Sequence, residues 1–252
     1  MRSLWTLLVE WTRRDFRVRY AQTLFGGIWA FAAPLAMTVG FVFVFEAIAR
    51  IDAGVPYAAF VYPGAVLWGL FAGGVIGASS STLESMSIAS KVAYPRIVAP
   101  LAAIAHNVVD FAIGLLFLPV ILIVFQAPVR LNPLSFTLAI LGTLAMAIGL
   151  GSFLSALVVF VRDVRKVLPF FFQIAVLVTP VAYPADRVPV GLRPLVVWNP
   201  MATLVAGFRS SLIALPSPTT GEWARALLVC AVVAALGVAY YQSVDDRFAD
   251  VA

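Results

Sequence analysis

The sequence predicts an all-α protein that crosses a membrane several times, and three observations carry that prediction. Hydrophobic residues make up 62% of the 252-residue chain and charged residues 12%, with mean hydropathy +1.00, a balance that no water-soluble domain of this size shows. The apolar residues gather into six stretches, most of them at or near the roughly 20 residues that a helix needs to cross the hydrocarbon core. Lys and Arg fall in the short segments between those stretches and are distributed unequally between the two sides.

Residues 1–23 read as a helix lying in the membrane interface. On a 100° wheel Leu4, Leu7, Leu8, Trp11 and Val18 cluster on one side, while Glu10, Arg13, Arg14 and Arg17 lie on the other. Such a helix rests its apolar face in the acyl boundary and holds its guanidinium groups among the phosphates. Asp15 falls within the apolar arc, four residues before Arg19, where an ion pair can form. Gly26 and Gly27 lead into the first span, 24–49, which contains Pro34 and ends near Glu46.

The second span is 57–79. Gly69, Gly73 and Gly77 repeat every four residues along it, a smooth stripe on which another helix of the same chain can pack closely. Ser81-Thr82-Leu83-Glu84 then reads as a capping box, with Ser81 at the N-cap and Glu84 reaching back from the third position. This predicts a short helix outside the membrane over 81–92, ended by Tyr94-Pro95.

The third span, 101–125, carries His106 and Asp110 four residues apart on one face; polar groups at that depth turn toward protein or a water-filled path, so the pair is read as a hydrogen-bonded clamp between helices, with a role in transport as the alternative. The fourth, 134–161, is rich in glycine, with Gly142, Gly149 and Gly151. The charged knot from Arg162 to Lys166 precedes the fifth span, 167–183. Segment 184–220 differs in kind, since six of the sixteen prolines lie in it. Its two apolar pieces, Leu192 to Trp198 and Met201 to Leu215, are too short to cross, and broken backbone at membrane depth is tolerable only against protein or a cavity, so re-entrant or half-inserted helices are expected on the outer side. The sixth span is 223–241, followed by a tail with Asp245, Asp246 and Asp250 in water.

Six spans place both termini on one side. With that side cytoplasmic, the inner segments carry eleven Lys or Arg and the outer ones six, as retention of positive charge during insertion requires. The net charge of +5 does not indicate nucleic acid, because the arginines flank apolar runs rather than covering one soluble face; anionic lipid head groups are the expected partners. A single cysteine, Cys230, and a single histidine, His106, exclude a disulfide framework and a zinc site built from several Cys or His ligands. No phosphate-binding loop of the G-x-x-x-x-G-K-[ST] type occurs, so no cofactor is expected in this chain.

Arg14-Asp15-Phe16-Arg17-Val18-Arg19-Tyr20, followed by Gly26 to Trp29 and Pro34, resembles the opening of the permease subunits of ABC-2-type exporters of O-antigen, capsule and teichoic acid. The resemblance continues in the family's order through Val55-Pro56-Tyr57, Lys91 to Arg96, Arg162 to Arg165, Thr179 to Pro184 and Asn199-Pro200-Met201. It departs after Ser81, where the chain is rich in Ser and Met. The resemblance implies a cytoplasmic interface helix, six spans, a coupling helix between the second and third, and short outer helices between the fifth and sixth. It also implies a homodimer paired with two separate ATPase subunits that hold ATP and Mg. The implied cargo is a glycan on undecaprenyl pyrophosphate, moved across the bacterial inner membrane, so the chain is expected to be a conduit rather than an enzyme.

Given that cargo, Arg13, Arg14, Arg17 and Arg19 are candidates to receive the pyrophosphate, because a guanidinium fork donates two parallel hydrogen bonds to phosphate. Phe41, Phe45, Tyr62 and Trp68 are candidates to line a channel, offering flat surfaces to sugar rings. Ser81, Glu84 and Lys91 are candidates for contact with the ATPase. Two other readings remain open at this point: an exporter of a drug or simple lipid, and a membrane-embedded transferase acting on a polyprenyl phosphate. The transferase needs metal-binding carboxylates gathered at one membrane face, whereas Glu46, Glu84, Asp110 and Asp163 belong to different segments.

Overall fold

The structure, a computed structural model, describes residues 6–13, 28–89 and 95–250. Among them the backbone is helical, with one isolated β-bridge between Val129 and Ile213. Residues 6–13 form α1, on which Thr6, Glu10 and Arg13 are exposed while Leu7, Leu8 and Trp11 are half-buried. Then follow α2 (Ile28–Phe41), continued by a π-helical turn (Val42–Ile48), α3 (Tyr57–Ala89), α4 (Val98–Val124), α5 (Pro133–Phe160), α6 (Val164–Val178), α7 (Arg193–Val197), α8 (Pro200–Ser210), α9 (Thr220–Val244) and a final 3-10 turn (Asp245–Asp250).

Five of these helices are long and apolar enough to cross a membrane, namely α2 with its π turn, α3, α4, α5 and α9. The fifth expected span is realised differently. Its helix α6 stops at Val178, because Thr179 turns extended and Pro180 and Pro184 follow. Its 15 residues make a helix of about 22 Å, short of the roughly 30 Å hydrocarbon core, and residues 179–183 after it are turn and bend.

α3 is the axis around which the bundle packs. It lies against α4 and α5 along its length and touches α2, α6 and α8. The glycine stripe explains the α4 contact: a Cβ on Gly73 would lie 2.4 Å from Asn107 Oδ1, and one on Gly77 3.6 Å from its Nδ2. The stripe therefore serves packing within the chain. On the other side Gly151 of α5 faces Ala78, and a Cβ on Gly149 would meet the backbone of Val233 and Ala234 in α9. In lipid, where no hydrophobic force drives helices together, such close backbone approach is what lets dispersion hold them.

The capping box expected at Ser81 does not form, and α3 runs unbroken from Tyr57 to Ala89. Ser81 Oγ instead donates back to Ala78 O at 2.7 Å, as Ser79 does to Ile76 O. With its helical carbonyls satisfied and no Gly or Pro between 78 and 89 to stop it, the helix has no reason to restart. The expected coupling helix is thus the continuation of a spanning one as far as Ala89. Lys91 lies outside the described residues. A capping box does form at the start of α9, where Glu222 N donates to Thr219 Oγ1 at 3.3 Å and Thr219 N donates to Glu222 Oε2 at 2.7 Å.

The tail is not free in water. Phe248 is fully buried against Tyr241, with ring centroids 5.4 Å apart, and Arg96 donates to the carbonyl of Asp245 while lying 5.9 Å from the Phe248 ring. Segment 184–220 agrees with the short helices expected of it. Asn199 caps α8 by accepting from Met201 N, with Pro200 in the first turn, and α8 inserts among α3, α5 and α9, burying nearly all of its residues.

Candidate functional site

The end of the bundle that carries α7 and α8 is tied by one buried cation. Arg209, near the end of α8, is 5% exposed. Its Nε donates to Phe60 O at 2.7 Å and its Nη2 to Val181 O at 2.8 Å, and the guanidinium carbon lies 3.6 Å from the centroid of the Phe60 ring. Among the described residues no carboxylate pairs with it. Backbone carbonyls and an aromatic face therefore do the work of a counter-charge, and Gly64 leaves the space, since a Cβ there would lie 2.9 Å from Nη2. Tyr57 OH donates to Ala182 O beside it, and Asn199 Nδ2 donates to Thr179 Oγ1 at 2.9 Å. The start of α3, the segment after α6 and the α7–α8 hairpin are thereby one unit. The loop after α4 joins them, because Arg130 N and Asn132 N donate to Leu212 O and Ser211 O.

Against this unit lies an aromatic row. Phe41 and Phe45 meet edge to face with centroids 5.8 Å apart, and Tyr183 follows 6.2 Å from Phe45. All three are half-buried. Phe43, Val44 and Ile48 on the same π turn, and Phe170, Phe171 and Ile174 on α6, are widely exposed. A π turn places more residues per turn than an α-helix and is frequently found at functional sites.

Midway along the bundle, α2, α3 and α4 enclose a groove of about 510 Å³ whose lining includes Trp29, Pro34, Gly69, Asn107, Asp110 and Phe111. Gly69 is the open end of the glycine stripe, with nothing within 4 Å of where its Cβ would be. His106 Nε2 lies 3.6 Å from Asp110 Oδ2. The i, i+4 spacing brings the two groups together on one face of α4.

At the opposite end, hydroxyl groups hold three helices. Thr82 Oγ1 lies 2.7 Å from Ser155 Oγ and 2.9 Å from Tyr241 Oη, which joins α3, α5 and α9 through fully buried side chains. Two residues beyond this clamp Glu84 is exposed, whereas Ser85 is buried.

The sequence matches the ABC-2 type transporter family over residues 6–213. The chain belongs to that family. Among curated relatives, two O-antigen export system permease proteins RfbA from Klebsiella pneumoniae are each 24% identical over 251 residues, covering 98% of this chain and 95% of theirs. A protein of the same name from Myxococcus xanthus is 24% identical over 207 residues, covering 81% of this chain and 79% of its own. Together with the five long apolar helices, the match makes this a multi-pass membrane protein of the ABC-2 transporter type.

Of the residues that sequence reasoning singled out in this ABC-2 transporter, the structure brings Phe41 and Phe45 together. It separates them from Tyr62 and Trp68. Tyr62 is fully buried, its hydroxyl donating to Gly114 O at 2.9 Å, and Trp68 packs edge-on against Phe71 and Phe172. Neither reaches an open surface, because α4 and α6 close over that side of α3; the expectation that they line a channel is corrected to a role in the protomer core. Arg13 is exposed on α1, while Arg14, Arg17 and Arg19 lie outside the described residues. Sequence reasoning missed Arg209, Tyr57 and the Thr82, Ser155 and Tyr241 cluster. Arg209 carried one available signal, a lone cation inside an otherwise apolar segment without a neighbouring carboxylate.

Proposed function

We propose that this chain is the membrane-spanning permease subunit of an ATP-driven exporter that moves a polysaccharide linked to undecaprenyl pyrophosphate across the bacterial inner membrane. The end-to-end match to proteins named as O-antigen export permeases carries this reading. Two copies of the chain form the pathway and two separate ATPase subunits hold the ATP and Mg. Both termini are cytoplasmic, by the excess of Lys and Arg on that side. The α7–α8 hairpin then lies on the outer side, and the C-terminal end of α3 faces the cytoplasm.

In this arrangement Arg13, Arg14, Arg17 and Arg19 receive the carrier's pyrophosphate at head-group depth. The row of Phe41, Phe45 and Tyr183 flanks the glycan on its way out, and the exposed apolar faces of α2 and α6 supply the surface for the second copy. The end of α3, with Glu84 and the following Lys91, docks on the ATPase. A long helix clamped to α5 and α9 through Thr82 passes on a rigid-body motion that a loop would absorb.

The test is loss of the chain in its native host. Surface glycan should disappear while lipid-linked glycan accumulates in the cytoplasmic leaflet, and a quadruple Arg→Lys variant at 13, 14, 17 and 19 should insert and assemble yet restore little export. A deletion that leaves surface glycan intact and alters only drug sensitivity or phospholipid distribution would sink the reading.

A further inference from the structure

Beside the Arg209 unit lies a second cavity, of about 300 Å³, between α7, α8 and the start of α9. Its walls are mostly Val, Ala and Pro, but three helix-borne hydrogen-bond donors line it, Arg193, Arg225 and Thr203, beside the exposed Ser217. Among the described residues no carboxylate pairs with either arginine. Arg225 lies 5.8 Å from the ring of Trp198, and Arg193 donates to Val188 O at 3.4 Å. Thr203 is 8% exposed, yet its hydroxyl bonds no group among the described residues. The one carboxylate in the lining, Glu222, is engaged in the capping box with Thr219.

The Thr203 hydroxyl is accessible from the cavity and can donate to a ligand acceptor there. Two guanidinium groups and a hydroxyl converging from different helices suit a tetrahedral oxyanion with several acceptor oxygens, to which Arg donates in forked pairs. The surroundings locate the ligand in depth. Val190, Leu192, Leu195, Val197 and Trp198 are widely exposed around the cavity, and short apolar segments ending in Trp and Arg sit at the boundary between acyl chains and head groups.

We propose that this cavity binds the phosphate of a membrane lipid head group, with Arg193 and Arg225 as the forks and Thr203 as the third donor, while the acyl chains lie along Leu192, Leu195 and Trp198. The site has two possible sources of the same chemistry: a bulk anionic phospholipid, or the polyprenyl pyrophosphate carrier after its passage. The binding itself does not depend on the proposed function; only the assignment of the site to the outer leaflet rests on that reading.

The test is native mass spectrometry of the full-length chain titrated separately with phosphatidylglycerol, with undecaprenyl pyrophosphate and with diacylglycerol, which lacks phosphate. R193Q/R225Q should weaken binding of the phosphate-bearing source by roughly tenfold or more, given the strength of charge-assisted hydrogen bonds, while R187Q, an exposed arginine outside the cavity, leaves it unchanged. T203V, close in shape and neutral in charge, should weaken the same lipid by roughly threefold and serves should the double variant fail to assemble. A loss confined to phosphatidylglycerol assigns the site to phospholipid, and a loss confined to the pyrophosphate assigns it to the carrier. Wild-type binding of both phosphate-bearing lipids in R193Q/R225Q and T203V, or diacylglycerol binding as tightly as phosphatidylglycerol, would overturn the proposal. Either result is independent of which cargo the transporter exports.

Discussion

Helices α2 and α3 are both of bilayer length, and α2 is the more apolar, with mean hydropathy 2.1 against 1.7 in their most apolar windows. Yet 83% of that window is buried in α3 and 6% in α2. The difference shows that apolarity does not decide position within a membrane bundle, because lipid solvates an apolar side chain as well as protein does. Small residues and hydroxyl groups decide it. α3 carries Gly64, Gly73 and Gly77, which admit Arg209 and Asn107, and Thr82, which joins α5 to α9. α2 has small residues too, but Ala33, Ala36 and Gly40 face outward with Ile28, Trp29 and Val39, and nothing lies within 4 Å of where a Cβ on Gly40 would be, while Phe31 is stacked on Phe117 at 3.8 Å.

The comparison breaks first at the glycine contacts of the interior. Gly237 of α9 is where a Cβ would lie 1.9 Å from Gly149 O, and backbone cannot step aside as a side-chain tip can. Gly237→Ala should therefore destabilise the protein by about 3 kcal/mol, read as a lowered melting temperature in detergent. A wild-type melting temperature would mean that α5 and α9 are not in backbone contact. Next comes Arg209→Met, which keeps length but leaves the carbonyls of Phe60 and Val181 without their donor. A loss of about 2 kcal/mol is expected, with increased proteolysis in segment 184–220, whereas an unchanged digestion pattern would remove Arg209 from its role as the tie.

Smaller effects sharpen the contrast. Tyr241→Phe deletes one hydroxyl from the cluster with Thr82 and should cost about 1 kcal/mol; double-mutant analysis with Thr82→Val should show the two changes to be coupled rather than additive. On the rim, Phe43→Ala removes a side chain that is 64% exposed and should change protomer stability by less than about 0.5 kcal/mol. Its effect should appear instead in the proportion of dimer recovered by cross-linking. A large loss of protomer stability from Phe43→Ala would erase the distinction between rim and interior.

Much of this was legible in the sequence. The long helices follow from runs of apolar residues, but the expected fifth span runs to 183, past the break that Pro180 and Pro184 impose after Val178. The glycine stripe of α3 also announced close packing. What could not be read is which neighbour fills a given gap: nothing adjacent in sequence connects Gly64 with Arg209, or Gly237 with Gly149. The failed reading at Ser81 has a local cause. Ser-x-x-Glu caps a helix only where the chain is not already helical, and a serine inside a helix donates instead to the carbonyl a turn behind it. The misplacement of Tyr62 and Trp68 has a different one, since aromatic content says nothing about which face of a helix its neighbours cover. Among the arginines, those from 13 to 19 stood out by their spacing, whereas Arg193, Arg209 and Arg225 acquire meaning only once the hairpin folds.

The proposed pathway along α2 and α6, with α3 as a closed axis, is tested most directly by single cysteines in a Cys230→Ala background, exposed to a membrane-impermeant maleimide in the assembled transporter during ATP turnover. Labelling of Phe45→Cys together with protection of Tyr62→Cys is the predicted result. Rapid labelling of Tyr62→Cys with protection of Phe45→Cys would contradict it and would move the pathway to the interior of the protomer.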